Sequence, residues 1–413
     1  MTTSTALCPA RAPMLTVAST ECFVLRTPQR ALNVSGCRAR LPSGATDTLG
    51  QRVREFFAAE REGPGLLVGA LPFDPHAPDA LFQPERQVSE RHSTPAAPPV
   101  LTGPATAEPA PATYADMVER CVAQLSADWL ADRPPDKGVL EKRGLEKAVL
   151  ARSLNLQAEA PIDPLALAAR LERDPSVTTY VAPLPVGDAE APAWLVGATP
   201  ELLISRRGRT VTSHPLAGSI RRRADPETDR QAAASLQASA KDLAEHRYVV
   251  DAIVAALGPL CSELDAPTTP ELTATESMWH LGTRIVGTLK DDASLNGIPS
   301  AAELAGLLHP TPAVCGTPRE PALAAIKSLE PVERGFYAGA VGWVDTHGDG
   351  DWYVAIRCAR VQGASLRLFA GAGIVAGSLP ALEVEETAAK FTALLDALGV
   401  DRAPGSQSTR DDS

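Results

Sequence analysis

Three short strand-like runs follow one another near the C-terminal end: Ala338–Val344, Trp352–Val361 and Leu366–Ala370. Only brief glycine-containing turns separate them, too short to hold a crossover helix, so consecutive strands must pair antiparallel. The same habit recurs upstream, where Ala193–Ser205 and Arg209–Ser213 read as neighbouring strands. Leu145–Leu154 alternates like a strand, and Gly65–Phe73 reads as a buried strand ending at Pro72. Helices are fewer. Tyr114–Leu130 places Met117, Cys121, Val122, Leu125 and Leu130 at helical spacing. Asp225-Pro-Glu has an N-cap and a first-turn proline, and Leu236, Ala240, Leu243, Val250, Val254 and Leu257 continue from it to Gly258-Pro259 as one helix. Pro380–Leu398 is a final amphipathic helix. Strands that pair in chain order, with helices in the minority, predict an α+β fold on a large, mostly antiparallel sheet.

Composition sets the outer limits. At 413 residues and 44% hydrophobic, the chain can bury a sizeable core. Its formal net charge of −11 excludes a nucleic-acid-binding role, which needs a basic face, and opposes anionic membranes and small anions at long range. An anionic substrate would need a locally assembled cationic site. The 37 prolines are in excess, and those between Thr94 and Thr113 predict a flexible loop. Residues 1–20 read as a disordered leader, 21–93 as N-terminal strands of the same fold, 114–400 as the main domain and 401–413 as a disordered tail. Seven cysteines, odd in number and without a CxxC pair, predict reduced thiols and neither a disulfide framework nor a zinc site. There is no secretory signal and no run near the ~18 apolar residues of a membrane span, so the expectation is a cytoplasmic protein with no membrane partner. Nothing sets the oligomeric state, and a monomer is compatible with the sequence.

Two acidic helix faces carry the first chemical signal. Asp242 and Glu245 stand three apart within Lys241-Asp-Leu-Ala-Glu-His246, and Glu383, Glu386 and Lys390 share a face of the last helix. Each face alone is commonly a solvated surface, but together they could offer hard oxygen ligands of the Mg²⁺ type. Glycine-bracketed segments, Pro215-Leu-Ala-Gly-Ser219, Gly316-Thr-Pro and Gly371-Ala-Gly-Ile374, are turns or places where backbone approaches a ligand. Arg221-Arg-Arg223 reads as a solvated loop.

These segments fall into one order. Lys147-Ala-Val-Leu-Ala-Arg152, Ala198-Thr-Pro-Glu-Leu-Leu203, Pro215–Ser219 and Lys241–His246 come first, then Trp279-His-Leu281, Leu308-His-Pro-Thr-Pro312, Ile356-Arg-Cys-Ala359, Gly371–Ile374 and Glu385-Glu-Thr387. From about Ala112 to Gly399 the chain resembles the chorismate-utilising enzymes, the anthranilate, aminodeoxychorismate, salicylate and isochorismate synthases. The resemblance implies their α/β fold, two large, mainly antiparallel sheets with helices packed outside. It implies chorismate as substrate and Mg²⁺ as cofactor. Lys147 matches the family's base and Glu201 its general acid; a lysine is a base only when its surroundings favour the neutral form, and an apolar setting would keep Glu201 protonated. Glu245 and Glu386 match the direct metal ligands, with Asp242 and Glu383 supporting through water. Arg357 matches the grip on the enolpyruvyl carboxylate. Gly218, Ser219, Gly371 and Gly373 would line the pocket, with His280 near the ring and Lys390 near the metal-bound carboxylate. His309 reads as structural.

The siblings differ in detail. Ala217 stands where aminodeoxychorismate synthases typically carry a lysine nucleophile, and Lys147 argues against ammonia chemistry. His309–Gly316 and Ile356–Arg360 look most like isochorismate synthases, which supply siderophore or menaquinone pathways. The alternatives are a salicylate synthase, which also eliminates pyruvate, and a non-catalytic homologue or subunit of a glutamine-dependent complex.

Overall fold

A computed structural model describes residues 21–59, 62–88, 97–130, 144–186, 190–291 and 297–400. The predicted leader and tail lie outside the described residues. Among the described residues, seventeen strands form one hydrogen-bonded network in which every pairing is antiparallel. One arm runs through Cys261–Asp265, Ile285–Leu289, Thr210–His214, Leu202–Arg207, Gly350–Val354, Ala340–Asp345, Leu66–Leu71 and Ala80–Gln87 to Ala31–Arg40. The hairpin partner Cys22–Arg26 hands the network to the second arm, Thr178–Leu184, Ala193–Thr199, Cys358–Gln362, Ser365–Ile374 and Lys147–Ala158. Leu101–Glu108 and Gly316–Thr317 pair along the far edge of that last strand. A separate three-stranded sheet joins Leu216–Arg221, Met278–Gly282 and Glu271–Ala274.

Alternation decides which strands sit between layers. Tyr180, Ala182 and Leu195 enter the main core, while Val181, Trp194 and Val196 point the other way into a second apolar cluster. That second cluster is closed by the helices Pro164–Leu171 and Pro380–Ala397, through Leu167, Leu171, Phe391 and Leu394. Leu66–Leu71 is buried at every position, as an uninterrupted apolar run requires.

Four predicted segments differ. The strand expected over Ala193–Ser205 is two strands, Ala193–Thr199 and Leu202–Arg207, parted at Pro200-Glu201, since proline has no N–H to give a ladder. Thr94–Thr113 is not a loop throughout: Leu101–Glu108 is a strand, and the helix Pro111–Leu130 begins before the predicted start. Its prolines are tolerated because this is an exposed edge, and its register shifts between Thr102 and Thr106, where Gly103 and Pro104 fall. The predicted helix from Asp225 to Leu257 is two helices, Pro226–Ala238 and Ala240–Leu257. Asp225 caps the first through Thr228 N, and Ser239 ends it and caps the second through Asp242 N. The strand expected over Trp352–Val361 is broken between Val354 and Cys358, where Arg357 takes a left-handed φ of 51°.

Candidate active site

Glu201 follows Pro200 in the tight connection between Ala193–Thr199 and Leu202–Arg207. It is buried, at 3% exposure, and burial pushes its carboxyl up to about 8, against the pull of the Leu216 backbone N–H and the charges of Lys147, Lys390 and Arg357. Glu201 is therefore a protonated acid at neutral pH. Lys147 opens the strand Lys147–Ala158 with no exposed surface, and its Nζ lies 3.0 Å from Glu245 Oε1.

Two glycines permit this placement. Gly316, at φ 137°, pairs with Ala148, and a Cβ there would fall 2.1 Å from the Lys147 carbonyl oxygen. A Cβ on Gly373 would meet Glu245 Oε1 at 2.3 Å and Lys147 Cε at 3.1 Å. Backbone must come this close for the ion pair to fit, so only glycine serves.

The two acidic helix faces meet beside this pair. Lys241 Nζ donates to Glu383 Oε1 at 2.9 Å, and Lys390 Nζ lies 2.6 Å from Glu386 Oε1 while donating to the Gly371 carbonyl at 2.9 Å. Burial, with Glu386 alongside, raises Glu383 above the usual carboxylate range; burial also raises Asp242, with Glu245 and Glu386 as like-charged neighbours. Burial works the same way on Glu386, but the Lys390 ammonium overcomes it and holds that carboxyl low. Carboxylates supply the hard oxygen donors that a divalent cation takes. Among the described residues no three His, Cys, Asp or Glu side chains are drawn into a cation cluster; Glu245, Glu383 and Glu386 each lie beside a lysine Nζ.

A cleft joins these groups. Glu201, Gly218, Ser219, Glu245, His280, Arg357, Gly371, Gly373, Glu386 and Lys390 all line it. Asp242 and Glu383 stand behind Glu245 and Glu386 rather than on the wall, and Lys147 reaches it through Glu245. Ser219 and His280 are directly opposite in the three-stranded sheet. Burial, reinforced by Arg357 and Lys390, drives His280 well below its ordinary value, so the ring is neutral. Its Nε2 is buried without a hydrogen-bond partner, available to a ligand. The backbone break at Arg357 turns that guanidinium onto the same wall, and burial lowers its proton affinity only against the opposing pull of Tyr337, Glu386 and Glu201.

Residues 136–399 match the family model described as chorismate binding enzyme. The chain is 41% identical to the isochorismate synthase DhbC of Bacillus subtilis (strain 168), over 92% of this chain and 94% of that one. It is 36% identical to the isochorismate synthase EntC of Escherichia coli (strain K12), over 92% and 95%. The crystal structure of DhbC from Bacillus anthracis superposes with a TM-score of 0.81 at 39% identity, covering 92% of this chain and 97% of that one. The chain belongs to the chorismate-binding enzymes.

In this chorismate-binding enzyme, Ala217 sits on the cleft wall, and its side chain offers no amine there. His309 lies away from the cleft; its Nε2 donates to the Pro72 and Phe73 carbonyls at 2.9 and 3.2 Å. Three contributors escaped sequence reasoning. Tyr337 stacks on Phe369 at 4.8 Å between ring centroids, and both line the cleft. Lys241, the first residue of a recognised motif, had no assigned task and proves to be the partner of Glu383. No local signal marks Tyr337, whereas Lys241 stands a helical turn from Glu245, on the acidic face.

Proposed function

We propose that this enzyme is an isochorismate synthase, converting chorismate to isochorismate for siderophore (2,3-dihydroxybenzoate or salicylate) or menaquinone biosynthesis. The observation that carries this reading is one cleft that joins a carboxyl kept protonated near neutrality to a buried lysine and an arginine fork. The names of the relatives support it. Lys147, as the neutral amine, takes a proton from the water that adds at ring C2, and Glu201 gives its proton to the C4 hydroxyl, which leaves as water while the ring double bond shifts. The two proton transfers balance, and exchange with solvent resets both groups. Arg357 grips the enolpyruvyl carboxylate with two N–H donors, and neutral His280 donates or accepts at the ring through Nε2. Mg²⁺ held by Glu245 and Glu386, with Asp242 and Glu383 through water, would neutralise the ring carboxylate and orient it. The six described cysteines carry free thiols, which suits a cytoplasmic enzyme. Among the described residues no helix is long and apolar enough to cross a membrane.

Purified protein given chorismate and Mg²⁺ without glutamine should yield isochorismate as its only product, identified by chromatography. Salicylate with pyruvate would support the rival lyase, and an absence of turnover would sink the proposal. Glu245→Ala and Glu386→Ala should each raise the Mg²⁺ concentration for half-saturation by at least ~10-fold in a calorimetric titration, as loss of one charged ligand implies. An unchanged titration would refute both ligand assignments.

A further inference from the structure

A second, wider cavity opens outward from the cleft and shares Pro200, His280 and Arg357 with it, so it forms the cleft's mouth. Its walls carry six arginines against three acids, Asp174, Glu276 and Asp396, in a chain whose net charge is −11. Charge has been reversed locally, and the run Arg221-Arg-Arg223, predicted to be a solvated loop, supplies half of those arginines.

The arginines are held unequally. Arg222 is occupied: its Nε donates to Asp229 Oδ2 at 2.8 Å, and its guanidinium stacks 4.4 Å from the Trp279 ring. Asp229 also accepts the Arg223 backbone N–H at 2.8 Å and Trp279 Nε1 at 3.1 Å, which fixes the turn. On the opposite wall, Asp174 Oδ2 accepts the Glu276 backbone N–H at 2.8 Å, tying two loops of the rim together and engaging one of the three acids. Arg173, Arg221 and Arg223 have no ion-pair partner among the described residues, and Arg173 and Arg223 are exposed. Anchored backbone thus presents three uncommitted guanidinium groups to a concave, partly enclosed mouth, where low-dielectric walls concentrate their field. The last turns of the helix Pro380–Ala397 line the mouth with Ala389, Thr392, Ala393 and Ala397, side chains too short to obstruct it.

We propose that Arg173, Arg221 and Arg223 form an outer collecting station for dicarboxylate anions, which enriches the substrate at the mouth before it passes Arg357. The inference rests on chorismate, a dianion, being the substrate, and it removes the conflict between an acidic chain and an anionic ligand. The station acts before the chemical step, so it should raise kcat/KM and leave kcat almost untouched.

The test is a triple Arg173→Ala/Arg221→Ala/Arg223→Ala variant assayed with chorismate and Mg²⁺. Its kcat/KM should fall about 10-fold at low ionic strength, within the range expected of steering charges, with kcat within about 2-fold of wild type. Added salt should erode the wild-type kcat/KM and leave that of the variant nearly flat, since screening removes only what the charges supply. The triple lysine variant should restore both the rate and the salt dependence, which a merely structural role for the arginines would not allow. An alanine variant with wild-type kcat/KM and salt slope would overturn the collecting station while leaving the chorismate reading intact. A fall confined to kcat would overturn it as well. A wild-type protein inert toward chorismate would overturn both.

Discussion

Replacing Glu201 by glutamine should lower kcat by about 10²- to 10⁴-fold, the usual contribution of a positioned general acid. Glutamine keeps the shape and the hydrogen-bonding edge but has no proton to give, so kcat and kcat/KM should fall together while substrate binding persists. The protein should fold as before, because Glu201 is already uncharged near neutrality and the substitution introduces no new charge. The pH profile gives a second, independent reading. Burial raises this carboxyl to about 8, so the proton required for the leaving hydroxyl is present below that pH and absent above it. Wild-type kcat/KM should therefore decline as pH rises through about 8, and the glutamine variant should lack that limb. An unaltered kcat in the variant would remove Glu201 from the acid role.

Lys147→Gln should be as damaging to turnover, by about 10²-fold or more, for the complementary reason that an amide side chain cannot take the water's proton. It differs from Glu201→Gln in its effect on the fold. Glu245 would lose the Lys147 Nζ 3.0 Å away and keep Asp242 as a like-charged neighbour. A charged group deprived of its partner costs about 1–3 kcal/mol, so the urea midpoint should drop measurably. Calorimetry should still detect Mg²⁺-dependent chorismate binding, since Arg357, Lys390 and the carboxylates remain. Full activity would dismiss Lys147 as the base.

Part of the fold was legible because hairpins such as Ala340–Asp345 with Gly350–Val354 pair in chain order and the helices announce their ends, whereas crossovers such as Ala340–Asp345 beside Leu66–Leu71 carry no local signal. Asp225 with Pro226 marked a helix start that the structure keeps to the residue. Ser239 carried an equally plain signal, a serine three residues before Asp242, yet apolar spacing on both sides masked the break between the two helices. The Leu101–Glu108 strand was hidden by composition. Proline and glycine spoil an interior strand but not an exposed edge, and only the tertiary arrangement says which edge lies open beside Lys147–Ala158. The break at Arg357 was hidden more deeply, because a left-handed arginine is imposed by its surroundings and not by local preference.

The sequence by itself determined which side chains share a face. Helical periodicity sets Asp242 with Glu245, and Glu383 with Glu386 and Lys390, once each segment is a helix. The tertiary structure alone decided that those faces meet, that Lys147 ends against Glu245, that Glu201 loses its water and holds its proton, and that Arg173 joins Arg221 and Arg223 around one mouth. The physical reason is common to all four. Periodicity is a property of one element, whereas distance between elements and desolvation arise only when the chain packs against itself.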